Sequence, residues 1–446
     1  MLDIPEDFEK KLRDAISILQ GHDKFRIITH YDADGITSSA VLARCLMKYQ
    51  KGFHATFVNS FPDDIPQGYP IIFTDIGNGH LSRINQLDEP AIVLDHHDIR
   101  DAEAEVAEDE DQVFVNPYDY GIDGSQEISG GTLTLLLTVL YDSTNWEESI
   151  YGLAGASADK QAIGGFRGMN LKLVEEALEK DHLEKSEDLF IDGRTVYSAL
   201  MKACDPYFPG ISGEEEEIKK ILNDIEIDLE AKLESISPDK KRKLNSILVL
   251  SLLEKDIPAH VIESIYGTHY ISPKSGIDAD VLYKLLNSCA RNGRSGLGLS
   301  LCLGDNSAFQ EAKRIRDSYR KQMIQKLKKL DEKIETKENI QYFYEEKRTR
   351  KGELAGLGML YLLEQDRPVL GLSESEENVD ISARATKQMV DAGLDLGKLC
   401  SLLAEKLGGE GGGHNIAAGA TVEKNKIDDF LDMMNEEMGK ELKRAK

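Results

Sequence analysis

Five short apolar runs lie before residue 165: FRIITH (25–30), ATFVNS (55–60), PIIFTD (70–75), AIVLDH (91–96) and QVFVNP (112–117). A helical pattern, SSAVLARCLMKYQ (38–50), follows the first of them. Strands that are apolar on both faces must be covered on both faces. With helices between the strands, this predicts a parallel, doubly wound α/β sheet. Ligands bind such sheets beyond the carboxyl ends of the strands, so the residues that directly follow the apolar runs are the ones to read for chemistry.

Those residues are acids and imidazoles. The first run ends in HYDADGITS, which supplies His30, Asp32 and Asp34, and the third in FTDIGNGH, which supplies Asp75. The fourth ends in LDHHD, with Asp95, His96 and His97. A helical YGLAGASADK places Asp159 after a run of small residues, with Asp142 as a competing acid. Carboxylates gathered at one sheet edge repel, and desolvating each costs several kcal/mol, so a cation must sit among them. Oxygen donors with one or two imidazoles and no thiolate favour Mn²⁺ or Mg²⁺ over structural zinc. Four or five acids can hold two such ions ~3.5–4 Å apart with one carboxylate bridging, an arrangement that cleaves phosphate esters.

HYDADGITS, FTDIG, VLDHHD and GASAD resemble the four motifs of the DHH phosphoesterase superfamily, and GGGHNIAAGA resembles the glycine-rich signature of its DHHA1 domain. ISGGT (128–132) and LLNSCARNGRSGLGLSLCLGD (285–305) are similar to the RecJ branch, in particular to archaeal RecJ-like single-strand exonucleases. The resemblance implies that Asp32 and Asp75 bind one metal ion and that Asp34, Asp75, His96 and Asp159 bind a second, with Asp75 as the bridge. It implies that His97 helps hold the scissile phosphate and that Asp95 orients the histidine pair. Many relatives carry a metal-binding histidine where this chain has Ile28; His30, two residues on, either replaces it or supports the strand locally. The resemblance also implies a single-stranded nucleic acid substrate and association with the GINS complex. Two other members of the superfamily stand as alternatives: a phosphoesterase for short oligonucleotides or cyclic dinucleotides, and a replisome component with a mainly structural role. Digestion polarity, DNA or RNA preference and oligomeric state are not fixed by these motifs.

Beyond the expected DHH domain (1–190), a mostly helical region (191–308) carries charged amphipathic segments. Phe309, Ala312, Tyr319, Met323, Leu327, Leu330 and Ile334 recur at helical spacing and predict a long connecting helix (309–337). A smaller α/β DHHA1 domain (338–446) follows and contains the glycine-rich GGEGGGHNIAAGATV (408–422). Glycines let backbone N–H groups approach an anion, so Gly412, Gly413 and His414 are candidates for phosphate contact. The resemblance implies that Ser382 and Arg384, on one face of a strand, share the grip, and Arg291 in CARNGR is a further candidate clamp.

The net charge of −26 argues against a protein that coats nucleic acid, because such binding is driven by Lys and Arg displacing counterions. The basic path is confined to Lys313–Lys333 and KRTRK (347–351), while acid concentrates in 101–112 and 213–217, which could serve a partner. Five scattered cysteines without a C-x-x-C pair fit buried hydrophobes in a reducing cytoplasm. GGTLTLLLTVLY, the most apolar stretch, is too short to span ~30 Å of lipid, so no membrane segment is expected.

Overall fold

A computed structural model describes residues 2–98, 111–346 and 350–444. The chain divides into two compact units, Met1–Asp188 with Gly267–Asp317 and Leu189–Tyr266 with Ser318–Lys446.

The first unit opens with helix α1 (Glu6–Gly21), strand β1 (Lys24–His30), α2 (Ala33–Lys48) and β2 (Gly52–Val58). Then come β3 (Ile71–Thr74), α3 (Leu81–Ile84), β4 (Ala91–Leu94), β5 (Gln112–Val115), α4 (Gly130–Tyr141), α5 (Ser149–Ala158) and α6 (Gly168–Glu179). The five strands form one sheet in the order β2-β1-β3-β4-β5, and every neighbouring pair is parallel. The chain runs to one side from β1 and to the other from β3, so the switch point lies between those two strands, where a doubly wound sheet opens a crevice at its carboxyl edge. β3 and β4 are buried along their whole length, as their continuous apolar runs predict. The apolar stretch 130–141 is the buried helix α4, packed against α2 and α5.

The chain leaves the first unit along β6 (Glu184–Leu189). Helices α7 (Val196–Met201), α8 (Glu215–Asp224), α9 (Pro238–Leu253) and α10 (Ala259–Glu263) follow, and it returns along β7 (Tyr266–Ile271), which pairs with β6. Next, α11 (Ala279–Ala290) packs on α5 and α12 (Ser295–Cys302) packs on α2. The expected intermediate region 191–308 is therefore divided. Its first part joins the second unit's core through Leu200, Phe208, Leu222 and Leu248, while Leu282, Leu286, Cys289 and Cys302 are buried in the first.

The long helix is α13 (Asn306–Leu327), shorter than the expected 309–337. Its last turn tightens, with Lys329 N–H reaching Lys326 O at 3.1 Å, and the one-turn helix α14 (Leu330–Lys333) buries Leu330. Part of the basic charge on this helix and just past its end is paired with acids. Arg320 meets Asp192, Lys326 meets Glu345 and Lys328 meets Glu214, all within the second unit. Of KRTRK, residues 347–349 lie outside the described residues, and Arg350 and Lys351 are buried. The acidic stretch 101–112 lies outside them too, except Asp111 and Gln112. Glu215–Glu217 form the first turn of α8, where acids suit the positive end of a helix.

The second unit continues with β8 (Glu335–Thr336), β9 (Gln341–Tyr344), α15 (Lys351–Tyr361), β10 (Val369–Glu374), β11 (Asn378–Arg384), α16 (Lys387–Asp391), α17 (Leu396–Lys406), β12 (Glu410–Gly413), β13 (Ala417–Glu423) and α18 (Ile427–Arg444). Its six strands lie in the order β12-β13-β11-β10-β9-β8, antiparallel except for the β9–β10 pair. This is the smaller α/β domain that the sequence predicts. Among the described residues, no helix is long and apolar enough to cross a membrane.

Candidate metal centre

The residues that follow β1, β3 and β4 meet at the sheet's carboxyl edge. Among the described residues, three groups of side chains bring their ligand atoms within 4.8 Å of one another: His30, Asp32 and Asp75; Asp75, His96 and His97; and Asp34, His96 and Asp159. Asp75 belongs to two of them, as does His96.

Each side chain has a local reason for its position. Asp32 is the N-cap of α2 and accepts from Gly35 N–H at 3.1 Å. Asp34, in the first turn of α2, is fully buried and points at the start of α4, where it accepts from Gly130 N–H at 2.6 Å, Gly131 N–H at 2.9 Å and Ser129 Oγ–H at 2.9 Å. ISGGT is thus a carboxylate cradle built from a helix N-terminus. The close approach requires glycine: a Cβ on Gly155, from GASAD, would lie 2.2 Å from Asp34 Oδ1. Asp75 directly follows β3 with φ +58°, a left-handed conformation that few residues other than glycine, asparagine and aspartate accept. Asp142, the competing acid, instead caps the turn after α4 and bonds Tyr49.

The histidines are oriented from behind. His96 Nδ1–H donates to Gly124 O at 2.6 Å, leaving Nε2 at 3.3 Å from Asp75 Oδ1, 3.3 Å from Asp159 Oδ2 and 3.6 Å from Asp34 Oδ2. His97 Nδ1–H donates to Asp95 Oδ1 at 2.7 Å, and its side chain is 57% exposed, so its other nitrogen is available to a substrate. Asn78 holds this turn: its backbone N–H bonds Asp95 Oδ2 at 2.9 Å, and its amide donates to the carbonyls of Asp95 and His97 at 2.9 and 3.1 Å. His30 Nδ1 lies 3.1 Å from Asp32 Oδ2 and 3.7 Å from Asp75 Oδ2, on the side away from His96. Ile28, by contrast, is buried among Phe61, Ile71 and Phe73.

Electrostatically the cluster is a set of anions held together by protons. Burial alone would lower the His30 imidazole, but the carboxylates of Asp32 and Asp75 outweigh it and push it up to about 11. Burial opposes charge on His96 as well, yet Asp75, Asp159 and Asp34 carry it well above its ordinary value. Burial and the Asp75 charge push Asp34 up to about 7, and burial with the Asp34 charge raises Asp159. Burial would raise Asp75 too, but the imidazoles of His30 and His96 beside it hold it well below the usual carboxylate range. Asp75 Oδ2 and His96 Nε2 are buried without a hydrogen-bond partner of good geometry. Orphaned donor atoms in an anionic cluster fit a divalent cation, and these side chains could hold one or two.

The other expected contacts fall in two places. Arg291 ends α11, exposed, and four residues on Ser295 Oγ–H bonds Tyr31 O at 2.6 Å, so this turn lies against the loop that carries Asp32. In the second unit Ser382 registers with Gly419 and Gly419 with Gly412, while Arg384 registers with Ala417, whose carbonyl accepts from His414 N–H at 2.9 Å. Gly371 flanks Ser382 on the other side, where α15 packs closely on the strand: a Cβ on Gly371 would lie 2.9 Å from Lys351 O. Nothing lies within 4 Å of where a Cβ on Gly412 would be, and the start of α15, at Gly352, comes close to both Ser382 and Arg384.

Reading strand ends located the acids and histidines. It missed Asn78, Gly124 and the role of Ser129–Gly131, because an amide or a glycine in a loop gives no charge signal. The SGG triplet just before an apolar helix is the one cue that could have been read, as a helix N-cap followed by bare N–H groups.

A doubly wound sheet whose switch point gathers aspartates and histidines, followed by a glycine-rich mixed sheet, is the architecture of the DHH phosphoesterases. The chain belongs to the DHH family: the family's N-terminal domain matches residues 24–155, and the DHHA1 domain matches residues 338–440. It is 30% identical over 440 residues to the Methanocaldococcus jannaschii protein MJ0831, covering 96% of each chain. Its fold is similar to that of RecJ from Thermus thermophilus, solved in complex with Mn²⁺ (TM-score 0.58, 16% identity, 97% of this chain) and with Mg²⁺ (TM-score 0.55, 17% identity, 97% of this chain). The chain spans 55% and 52% of the length of those two RecJ chains. CDC45 from Entamoeba histolytica shares the fold over nearly its full length (TM-score 0.65, 10% identity, 97% of this chain and 98% of that one).

Proposed function

We propose that this protein is a metal-dependent exonuclease that hydrolyses phosphodiester bonds at an end of single-stranded nucleic acid, in replication or repair in the cytoplasm. The observation that carries the reading is the sharing of Asp75 between ligand groups at the sheet's switch point, as a bridging ligand requires. His30, Asp32 and Asp75 would hold one cation, and Asp34, Asp75, His96 and Asp159 the other. Held there, Mn²⁺ or Mg²⁺ would supply a water nucleophile at neutral pH and charge stabilisation for the phosphate oxygens.

The chain's own groups do the rest. Asp34, clamped by three donors, and His96, clamped by the Gly124 carbonyl, cannot swing away, so the donor set is preorganised. Asp32, 37% exposed, and Asp159, 24% exposed, face the side from which a substrate arrives. His97, braced by Asp95, donates from its outer nitrogen to a phosphate oxygen of the scissile group. Arg291 takes a further phosphate. In the second unit Ser382, Arg384, Gly412, Gly413 and His414 grip the strand, with N–H groups and a guanidinium matched to phosphate. The RecJ-like motifs also support a GINS-type partner, bound through surfaces away from these residues.

End-labelled single strands of DNA and RNA, incubated with Mn²⁺, should shorten from one end, with duplex and dinucleotide turned over far more slowly. Strands left intact, or dinucleotides cleaved faster than long strands, would overturn the exonuclease reading. A pull-down with purified GINS at low salt that recovers none of the protein would overturn the partner.

A further inference from the structure

We infer that Gln161 is a positioning residue for the metal centre, acting on His96 through the carbonyl of Gly124, and that Asn170 locks Gln161 in the orientation this needs. The inference rests on reading His96 as a metal ligand.

Gly124 O accepts two hydrogen bonds, from His96 Nδ1–H at 2.6 Å and from Gln161 Nε2–H at 2.9 Å. The same Gln161 amide donates to Ile128 O at 3.2 Å, and its Oε1 accepts from Asn170 Nδ2–H at 2.6 Å. These three contacts permit one amide orientation only, because a flipped amide would face two carbonyl oxygens with its own oxygen and point its NH₂ at another donor. Asn170 is tied to the same segment, its backbone N–H bonding Glu127 O at 2.7 Å. Gln161 and Asn170 are both buried, 3% and 1% exposed, in a place where aliphatic side chains would pack at no polar cost.

The network constrains the imidazole. A carbonyl whose two lone pairs are both engaged has little freedom, and the ring that supplies the second donor is fixed about its own axis. His96 Nε2 is thereby aimed at Asp34, Asp75 and Asp159 with Nδ1 protonated, the tautomer a metal ligand needs. The two backbones also approach closely: a Cβ on Gly124 would lie 1.9 Å from the backbone O of His96. Gln161 is also two residues beyond Asp159, and its N–H bonds Ala156 O at 2.9 Å, so the segment that steadies His96 also carries a proposed ligand.

Two variants test this in the full chain. Gln161→Glu keeps the shape but turns a carboxylate toward two carbonyls. Asn170→Ala leaves the Gln161 amide facing the two carbonyls but removes the donor that holds its Oε1. Mn²⁺ affinity, followed by the electron paramagnetic resonance of free Mn²⁺, should fall roughly 10- to 100-fold in Gln161→Glu and less in Asn170→Ala. Histidine-selective ¹⁵N spectra with Mg²⁺ should show His96 losing its single Nδ1–H signature in both. If Gln161→Glu does not fold, Asn170→Ala decides the matter. Cooperatively folding variants with wild-type Mn²⁺ affinity and an unchanged His96 resonance would overturn the inference and leave the metal centre standing. A wild-type chain that takes up no Mn²⁺ would remove both.

Discussion

Asp75 has two tasks that pull against each other. It must present both carboxylate oxygens to neighbouring groups and also hold φ at +58°. Asparagine tolerates that conformation, whereas alanine pays roughly 1–2 kcal/mol there. Asp75→Asn is therefore the informative change: it should fold with a near wild-type melting temperature, yet lose Mn²⁺ uptake and hydrolysis together. Retained turnover in that variant would sink the bridging role. A second expectation concerns protons. His30 is raised to about 11, Asp34 to about 7, and His96 and Asp159 upward, so the metal-free site binds protons that a cation must displace. Groups whose pKa is raised without the metal release protons on binding, so apparent Mn²⁺ affinity should climb as pH rises from 6 to 8. Across that window Asp34 gives up its own proton, while the imidazolium protons must still be expelled by the cation. Calorimetric titrations in buffers of different ionisation enthalpy should find net proton release, and none would contradict this charge arrangement.

The strands at the scale of elements were legible because five continuous apolar runs admit few arrangements, and the candidate ligands were legible because charge is seldom left at a buried strand end without a task. What the chain does with 279–302 was not. Leu282, Leu286 and Cys289 have ordinary helical spacing, and nothing in that pattern says which of two cores they join. The structure puts α11 and α12 in the first unit, where Leu282, Leu286 and Cys302 are at most 1% exposed. Burial of each large apolar side chain contributes about 1.5–3 kcal/mol. A chain truncated at residue 190, the expected domain end, should therefore lose several kcal/mol and aggregate, while one that adds 267–317 through a short linker should stay monomeric. Sedimentation of the two would check this, and a stable monomer ending at residue 190 would contradict the assignment. The long helix also ends before its apolar stripe does. An apolar stripe can carry on in register through a tightened turn, as it does from Leu327 to Leu330.

At the scale of the whole molecule, chemistry and grip are assigned to different units. If the second unit only holds the strand, His414→Ala and Arg384→Ala should each remove about one charge-assisted contact, ~1.5–3 kcal/mol, or roughly ten- to a hundredfold in kcat/KM on long single strands. A small activated phosphodiester should be cleaved by both variants almost as well as by wild type, with Mn²⁺ uptake unchanged. Equal losses on both substrates would place His414 in the reacting centre instead. The acidic surplus is compatible with this division: attraction for a polyanion would come from a few placed groups, since Arg320, Lys326 and Lys328 are paired with Asp192, Glu345 and Glu214.

The discontinuity of the first unit also sets a schedule. All the proposed ligands have been synthesised once Asp159 is made, but α11 and α12, which cover α5 and α2, belong to a segment that ends at Asp317. At ~5–20 residues per second, ribosomes need roughly 8 to 30 s to close that gap. For that interval the nascent chain carries every proposed metal-binding side chain on a scaffold whose apolar flank is bare. The helices α2 and α5, which carry or lead into Asp34 and Asp159, thus receive their apolar cover last, and a chaperone that covers them would meet its client in that window.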